Sequence, residues 1–151
     1  LDAFSGSDLV VFSAAVADFK PAITYDEKVK KSTRRQVGDN GSTGFANGWE
    51  IPLVRNPDIL ETLARVKGDT FVVGFAAETQ NVLDNAREKL VRKGADLIVA
   101  NDVSNPSRGF GSSDNRVWFV DADGVRDLGV LSKQAIAESI LEAYRDTMEH
   151  A

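Results

Sequence analysis

The chain has 151 residues, of which 42% are hydrophobic, and it carries a formal net charge of −5 and no cysteine. This size and composition predict one soluble domain, and the missing cysteine excludes disulfides, thiolate metal sites and a cysteine nucleophile. The one histidine, His150, is next to the chain end, a poor position for a catalytic triad or a histidine metal cluster. The acidic charge argues against nucleic-acid binding, and no apolar run is long enough to span a bilayer, so we expect no membrane partner. The absence of cysteine suits a cytoplasmic protein.

The first half of the chain begins with a strand and contains one long polar segment. A short apolar run at 8–14 predicts a strand buried on both faces, and 15–21 after it predicts a loop. The stretch 27–48 is basic and glycine-rich without any period, which predicts a mobile loop. Asn56 followed by Pro57 indicates the start of a helix. The inner face of that helix would consist of Ile59, Leu60, Leu63 and Val66.

The middle of the chain alternates strand, helix and strand. Apolar runs at 70–75 and 96–100 predict buried strands on either side of a helix over 81–93, which Gly94 would end. The residues of this helix that would face the core are Val82, Leu83, Ala86 and Leu90. Continuous apolar strands that alternate with helices are typical of a parallel sheet.

The last part of the chain predicts a hairpin and a helix. Segments 116–120 and 125–128 flank a turn rich in aspartate and glycine, which indicates a β-hairpin. Ser132 would cap the final helix, whose apolar face would consist of Ile136, Ile140, Leu141 and Tyr144. The complete pattern predicts an α/β, Rossmann-like fold: a mostly parallel sheet with helices on both faces, plus a C-terminal β-hairpin.

Polar residues follow each of the three predicted parallel strands: Asp18, the segment 76–79, and the pair Asn101 and Asp102. Ligands of open parallel sheets bind beyond the carboxyl ends of the strands, so one cleft would gather all three groups. The alternative is that these are ordinary turn residues. For each group alone the two interpretations have equal weight, and the three together favour the cleft modestly.

Two groups of cations stand out in this acidic chain. The first consists of Lys28, Lys30, Lys31, Arg34 and Arg35. Such a cluster could bind a polyanion. From charge alone, a solvated loop whose cations repel each other is the favoured interpretation. Lys89 and Lys93 form the second group and share one helix face, where a solvent-facing pair is the commoner case. No glycine-rich fingerprint of a dinucleotide or P-loop site is present. A generic nucleotide-binding enzyme, such as a reductase or methyltransferase, would need that fingerprint and is therefore a weak alternative.

Six segments of this chain occur in an order that is similar to one family. They are AAVADFKP (14–21), EKVKK (27–31), VRNPDIL (54–60), VVGFAAET (72–79), KLVRKGADLIVANDV (89–103) and SK (132–133). The ordered set resembles the phosphopantothenate–cysteine ligase domain, also called the phosphopantothenoylcysteine synthetase domain. In bacteria this domain often follows a flavin-dependent decarboxylase domain within one bifunctional chain.

The resemblance implies a ligase that joins 4′-phosphopantothenate to L-cysteine in coenzyme A biosynthesis. The bacterial type uses CTP with Mg²⁺ and passes through an acyl-cytidylate, and FMN would be needed only by a preceding decarboxylase domain. The family also implies a homodimer. Such chemistry suits a chain without a histidine or cysteine nucleophile, because nucleotidyl transfer depends mainly on positioning and charge neutralisation.

The resemblance also implies roles for particular residues, but it identifies no metal ligand. Ala14, Ala15 and Asp18 would lie at the nucleotide and acyl-cytidylate site, and Lys28 would reach the triphosphate. The expected catalytic residues are therefore Lys28, Asp18 and Ala15. The residues that would border the cytidine pocket or contact the nucleotide are Asn56, Pro57, Asp58, Ile59, Phe75, Lys89 and Lys93.

Two features depart from the family pattern. The family begins with a strand, a glycine-rich turn and an Asn-Arg-Ser-Ser-Gly-like segment, none of which has a counterpart here. We therefore expect residues 1–151 to form a single synthetase domain that is truncated at its N-terminus. The stretch 32–49 is also longer and richer in glycine than the family pattern implies. An alternative function is a catalytically incomplete module for nucleotide binding and dimerisation.

Overall fold

A computed structural model describes residues 4–28, 51–104 and 114–149. Most of the predicted loop at 27–48 and His150 lie outside these ranges. The chain divides into two compact units, a larger one of Leu1–Ala15 with Asp58–Ala151 and a smaller one of Val16–Pro57. The elements in chain order are β1 (Leu9–Phe12), β2 (Phe19–Pro21), β3 (Leu53–Arg55), α1 (Ile59–Ala64), β4 (Phe71–Glu78), α2 (Val82–Lys93), β5 (Leu97–Asp102), β6 (Asp114–Val120), β7 (Val125–Ser132) and α3 (Lys133–Glu149).

The larger unit contains a five-stranded sheet in the order β1-β4-β5-β6-β7. β1, β4 and β5 run parallel, and β6 and β7 continue the sheet as an antiparallel hairpin. The turn of that hairpin is closed by Asp121, whose carboxylate accepts hydrogen bonds from the backbone N–H groups of Asp123 and Gly124 at 3.0 Å. The predicted hairpin is thus confirmed, with longer strands than the sequence pattern indicated.

Helices cover both faces of this sheet, because successive side chains of a strand point to opposite faces. On one face, α3 packs against the strands; the buried residues there are Phe71, Val73, Leu97, Val99, Val117, Phe119, Ile136, Ile140 and Ala143. On the other face the buried residues are Val72, Ala76, Ala86, Ala95, Ile98, Ala100 and Val120, with Leu60 of α1 and three residues of α2 packed on them. The predicted Rossmann-like α/β fold is confirmed.

Several predicted helix boundaries are also confirmed. α2 follows Asn81 and ends at Gly94, which adopts a left-handed conformation with φ of 67° and donates its N–H to the Leu90 carbonyl. The Ser132 hydroxyl accepts a hydrogen bond from the Ala135 N–H at 3.1 Å, as expected of a helix cap. In contrast, β4 and β5 extend further than predicted, to Glu78 and Asp102.

The predicted start of α1 is wrong. Asp58 is the N-cap, because its Oδ1 accepts a hydrogen bond from the Glu61 N–H at 3.0 Å. Asn56 instead donates its side-chain N–H to the Ala17 carbonyl at 2.8 Å, within the smaller unit. The helix therefore begins later than predicted and ends at Ala64.

Three residues predicted to face inward are exposed instead. Ile59 is 45% exposed in the first turn of α1, and Val66 is 63% exposed because it lies beyond the end of the helix. In α3, Leu141 is exposed, and the small side chain of Ala143 is buried with Ile136 and Ile140 instead. Of the other predicted inner residues, Ile136 and Ile140 are buried and Leu60 and Tyr144 pack against the core, whereas Leu63 is only half-buried.

The smaller unit contains a two-stranded antiparallel ribbon of β2 and β3, in which Phe19 pairs with Arg55 and Pro21 with Leu53. The prediction of a loop over 15–21 is therefore wrong for its last three residues. Their partner strand is far away in the sequence, so no local pattern of residues could indicate the pairing.

Candidate functional site

The carboxyl ends of the three parallel strands lie at one edge of the sheet. The register pairs Ala77 with Asn101 and Glu78 with Asp102, so two of the three polar groups expected at this edge are direct neighbours. Ala14 and Ala15 follow β1, whose last residue pairs with the middle of β4. This is the edge at which open α/β sheets bind their ligands.

Lys89 of α2 lies against the middle of β4. Its Nζ donates a hydrogen bond to the carbonyl oxygen of Phe75 at 2.7 Å. Burial lowers the pKa of Lys89 below its usual value, and repulsion by Lys93 and Arg92 lowers it further, while the Glu78 carboxylate opposes the shift. The Lys89 ammonium is therefore a partly desolvated donor, which strengthens its interactions with anions or carbonyl groups.

Lys93, one turn further along α2, is paired with the carboxylate of Asp58 and lies 4.0 Å from that of Glu61. Burial alone would raise the pKa of Asp58. The hydrogen bonds from Lys93 and the Glu61 N–H, with the charges of Lys93 and Arg92, outweigh that effect and lower the pKa. Asp58 thus joins the first turn of α1 to the last turn of α2.

In the larger unit, four of the residues assigned by the resemblance therefore form two direct contacts, Phe75 with Lys89 and Asp58 with Lys93. Each contact places an ammonium donor beside an oxygen acceptor. The spacing of Lys89 and Lys93 placed both residues on one helix face, but it contained no signal for either acceptor. Ile59, the next assigned residue, follows Asp58 and is exposed.

In the smaller unit, two other predicted segments meet. The Asn56 N–H donates to the Asp18 carbonyl at 2.9 Å, and the Asn56 side chain donates to the Ala17 carbonyl. These bonds continue the ribbon beyond the pair of Phe19 and Arg55. They hold Asp18 beside Asn56 and Pro57, and Lys28 is exposed in the same unit. The remaining cations of the basic loop, Lys30, Lys31, Arg34 and Arg35, lie outside the described residues.

Two asparagines of the interior strands β5 and β6 have buried side-chain oxygens without a partner among the described residues. The side-chain oxygens of Asn101 and Asn115 are buried and, within residues 4–28, 51–104 and 114–149, accept no hydrogen bond. Asn101 was predicted to follow a strand and belongs to the segment 89–103 of the resemblance, whereas Asn115 carried no prediction. Burial and a missing partner are three-dimensional properties that have no local sequence signal.

Two further observations concern a metal site and a cavity. The described part of the chain contains no group of three or more histidine, cysteine, aspartate or glutamate residues placed to hold a metal ion. A shallow cavity of about 240 Å³ lies between the last turns of α1 and α2, lined by Arg65, Arg92 and Lys93 among others. Cations in the last turn of a helix complement the helix dipole, which accounts for Arg92 and Lys93 of α2 without a ligand in this cavity.

Comparison with known proteins identifies the family. Residues 1–147 match the DNA/pantothenate metabolism flavoprotein C-terminal domain. The chain belongs to this family. It is 41% identical over 143 residues to the coenzyme A biosynthesis bifunctional protein CoaBC of Bacillus subtilis (strain 168), covering 94% of this chain and 32% of that protein. The protein of the same name from Escherichia coli (strain K12) is 39% identical over 136 residues, covering 89% of this chain and 31% of that protein.

Solved structures agree with this family assignment. A crystal structure of the C-terminal domain of CoaBC superposes with a TM-score of 0.70 at 31% identity, covering 99% of this chain and 59% of that one. The DNA/pantothenate metabolism flavoprotein of Streptococcus pneumoniae gives a TM-score of 0.66 at 22% identity, covering 95% of this chain and 64% of that one, and supports the fold alone. The chain spans about a third of the length of the curated relatives that it matches.

Proposed function

We propose that this chain is the nucleotide-binding part of a CTP-dependent phosphopantothenate–cysteine ligase of coenzyme A biosynthesis. Family membership and the names of the relatives support the pathway. The observation that carries the nucleotide site is the pair of contacts Lys89–Phe75 and Lys93–Asp58. These four residues come from three different elements, the N-cap of α1, β4 and α2, and all four belong to the set that the resemblance assigns to nucleotide binding.

In the first proposed step, a carboxylate oxygen of 4′-phosphopantothenate attacks the α-phosphorus of CTP. The bond between that phosphorus and its bridging oxygen breaks, pyrophosphate leaves with the bonding electrons, and an acyl-cytidylate remains. Ala14, Ala15 and Asp18 would position the acyl-cytidylate, and the exposed Lys28 would reach the phosphates. Neutralising charge on the phosphates as it develops is the main contribution that a protein makes to this kind of transfer.

In the second step, the amine of L-cysteine attacks the acyl carbonyl carbon. The bond to the phosphate oxygen breaks, CMP leaves, and the nitrogen loses a proton as the amide forms. The energy of CTP has then been used to make a carboxylate reactive toward an amine. No side-chain nucleophile is required in either step, which is consistent with a chain that has no cysteine.

The contacts of Lys89 and Lys93 would orient both ammonium groups for CTP. Both ammonium groups are held by oxygen acceptors of the protein, so their donors are already oriented before the ligand arrives. A nucleotide would share or replace the Phe75 carbonyl and the Asp58 carboxylate as their partner. The resemblance also assigns Asn56, Pro57 and Ile59 to the border of the cytidine pocket, with backbone groups reading the base.

Magnesium would enter this site with the triphosphate. Because the described residues contain no group of three ligands of their own, they fit an ion that keeps several waters and uses mainly phosphate oxygens, which is how Mg²⁺ usually binds nucleotides. Once bound, the ion would supply charge neutralisation on the phosphates. No described helix has the length and apolar character of a membrane span, and we propose a cytoplasmic location from the resemblance.

The test uses the purified full-length protein with CTP or ATP, magnesium, 4′-phosphopantothenate and L-cysteine. We expect pyrophosphate release that requires phosphopantothenate, is faster with CTP than with ATP, and yields the amide only when cysteine is present. Equal rates with ATP would contradict the choice of nucleotide. Pyrophosphate release without any dependence on phosphopantothenate would contradict the ligase reaction.

The alternative function is a non-catalytic module for nucleotide binding and dimerisation. The two proposals differ when residues 1–151 are tested alone. Binding of CTP in calorimetry without pyrophosphate release would identify the isolated chain as the module. Release at a rate close to that of the full-length protein would reject the module.

A further inference from the structure

Glu78, the last residue of β4, lies beside the face of α2 that carries Lys89. Its carboxylate accepts a hydrogen bond from the side-chain nitrogen of Asn85 at 2.8 Å, and that nitrogen also donates to the Gln80 carbonyl at 3.2 Å. Asn85 precedes Lys89 by four residues, and side chains at this spacing in a helix are neighbours whose Cβ atoms are about 5–6 Å apart. Asn85 therefore holds the Glu78 carboxylate close to the Lys89 side chain.

The Lys89 ammonium group reaches the carboxyl end of β1. In β4 the Val72 carbonyl faces β5, because it accepts a hydrogen bond from the Asp96 N–H at 2.9 Å. Successive carbonyls of a strand point to alternate sides, so the Phe75 carbonyl faces the β1 side. β1 ends at Phe12, one register position earlier, and beyond that end the Phe75 carbonyl accepts the hydrogen bond from Lys89 at 2.7 Å. Lys89 is thus at the strand ends where open α/β sheets bind their ligands.

An ammonium group that has lost part of its hydration needs a negative charge nearby to remain protonated. Burial lowers the pKa of Lys89 most, and the Glu78 carboxylate has the largest opposing effect. The other charges that act on Lys89 are Lys93 and Arg92 of α2, which lower its pKa further, and Asp58, which raises it. Asp58 is already paired with Lys93. The hydrogen-bond partner of Glu78 is neutral, so Glu78 is the carboxylate whose charge acts mainly on Lys89.

We propose that Glu78 is a positioning residue of the nucleotide site, which keeps the Lys89 ammonium group charged and directed toward the Phe75 carbonyl before the nucleotide binds. This inference rests on the proposed function, because it takes Lys89 as a contact of CTP. Glu78 does not itself bind the nucleotide, since a carboxylate repels phosphates. Its two effects on CTP have opposite signs: repulsion weakens binding at every pH, whereas support of the Lys89 charge strengthens binding only where Lys89 would otherwise lose its proton.

The test is Glu78→Gln in the full-length protein, because glutamine still accepts a hydrogen bond from Asn85 but carries no charge. CTP with magnesium is titrated calorimetrically from about pH 7 to about pH 9.5, just below the usual pKa of lysine. At the lower end we expect the variant to bind CTP at least as tightly as the wild type. As the pH rises its affinity should fall first, to about tenfold below that of the wild type, because a difference of about one pKa unit changes the protonated fraction about tenfold.

The charge of Lys89 is measured separately, without nucleotide, by NMR titration of carbon-13-labelled lysine side chains. The Lys89 signal is the one that Lys89→Met lacks. It is expected to titrate about one pH unit lower in Glu78→Gln than in the wild type, as loss of a neighbouring opposite charge requires. In a Lys89→Met background, Glu78→Gln should not weaken CTP binding at any pH. Glu78→Ala removes the same charge and provides the same comparisons if the glutamine variant does not fold.

Asp84→Asn is the matched control, because it also removes one carboxylate from the neighbourhood of α2. The Asp84 side chain is 81% exposed in the first turn of that helix and pairs with Arg87 at 3.2 Å. This variant is expected to bind CTP with the pH dependence of the wild type and to leave the titration of Lys89 unchanged. An equal loss of CTP affinity at high pH in both variants would indicate a general effect of charge and overturn the role of Glu78.

The outcomes separate this inference from the proposed function. Glu78→Gln that weakens CTP binding by one factor at every pH indicates a structural effect, and tighter binding at every pH indicates repulsion alone; either result overturns the positioning role. An unchanged titration of Lys89 also overturns it. A wild type that does not bind CTP overturns the proposed function, and the titration of Lys89 then still decides whether Glu78 maintains its charge.

Discussion

Asp58 has two separate partners, one for each oxygen of its carboxylate. Oδ1 accepts the hydrogen bond that caps α1, and Oδ2 pairs with Lys93 at the end of α2. A neutral asparagine caps a helix as well as aspartate does, but it cannot form the ion pair. The substitution Asp58→Asn therefore separates the charge of this residue from its capping role.

We predict that Asp58→Asn destabilises the protein at pH 7 by less than about 1 kcal/mol, because the pair is partly exposed and screened by solvent. The pKa of Asp58 is lowered on folding. Its contribution is therefore present above the unfolded pKa and is lost as the pH falls through the folded pKa. Urea unfolding of both proteins at pH 7 and at a series of lower pH values measures this. A stability difference that does not shrink as the pH is lowered would contradict the prediction.

Lys89 belongs to the proposed nucleotide site through its half-buried ammonium group. We predict that Lys89→Met, which keeps the apolar stem, weakens CTP binding roughly ten- to a hundredfold, as expected for loss of one charge-assisted contact. Calorimetric titration gives the affinity. Arg87→Gln is the control, since Arg87 is on the same helix, is exposed, and pairs with Asp84 at 3.2 Å. Equal losses in the two variants would indicate a general effect of charge and reject a specific role of Lys89.

At the scale of elements, Gly74 permits the close packing of β4 between β5 and α1. A Cβ atom at this position would lie 2.9 Å from Cδ1 of Ile98 and 3.0 Å from Cδ2 of Leu60. We predict that Gly74→Ala destabilises the fold by about 1–3 kcal/mol, because both side chains must move within a packed core. Chemical denaturation measures the effect. An unchanged midpoint would show that Ile98 and Leu60 adjust without cost.

The elements that were predicted correctly have local signals, which lie within the element itself or directly beside it in the sequence. Asn81 and Gly94 mark the two ends of α2, and the apolar runs of β4 and β5 are continuous. α1 was misplaced because Asn56 and Pro57 form a convincing local cap, while Asn56 in fact binds the distant Ala17 carbonyl.

The same distinction applies to the candidate site. Residue types and their order were enough to suggest the family and to place Lys89 and Lys93 on one face of a helix. The partners of these lysines, the Phe75 carbonyl and the Asp58 carboxylate, depend on how α2 packs against β4 and α1. The unpartnered oxygens of Asn101 and Asn115 depend on burial. Neither property is encoded by the spacing of residues along the chain.

At the scale of the whole molecule, we predict a homodimer. The smaller unit exposes an unusual number of apolar side chains for its size: Val16, Phe19, Ile23, Tyr25, Ile51, Leu53 and Val54. Exposed apolar patches commonly mark an interface, and a two-fold dimer is the commonest assembly. Light scattering at several concentrations is expected to give twice the monomer mass.

The variant Leu53→Asp tests which surface forms this interface. Leu53 is 56% exposed in the ribbon, and Leu141, the control, is 46% exposed on α3. Leu53→Asp should shift the protein to monomers because a charge would be buried at the interface, while Leu141→Asp should leave the mass unchanged. A wild type that is monomeric at every concentration would contradict the dimer, and equal effects of the two variants would contradict its location.

The larger unit is assembled from two stretches of chain, and β1 comes from the shorter one. β4, α2 and β5 are consecutive and can form their contacts locally, whereas β1 must close a loop of roughly sixty residues to pair with β4, at a cost in chain entropy. β1 also lies at the edge of the sheet. Its amides should therefore exchange with solvent deuterium well before those of Val72 and Val99, through openings that leave the rest of the sheet intact. The strand that leads to Ala14 and Ala15 would then be less protected than β4 and β5, and ligand binding should be seen as slower exchange there.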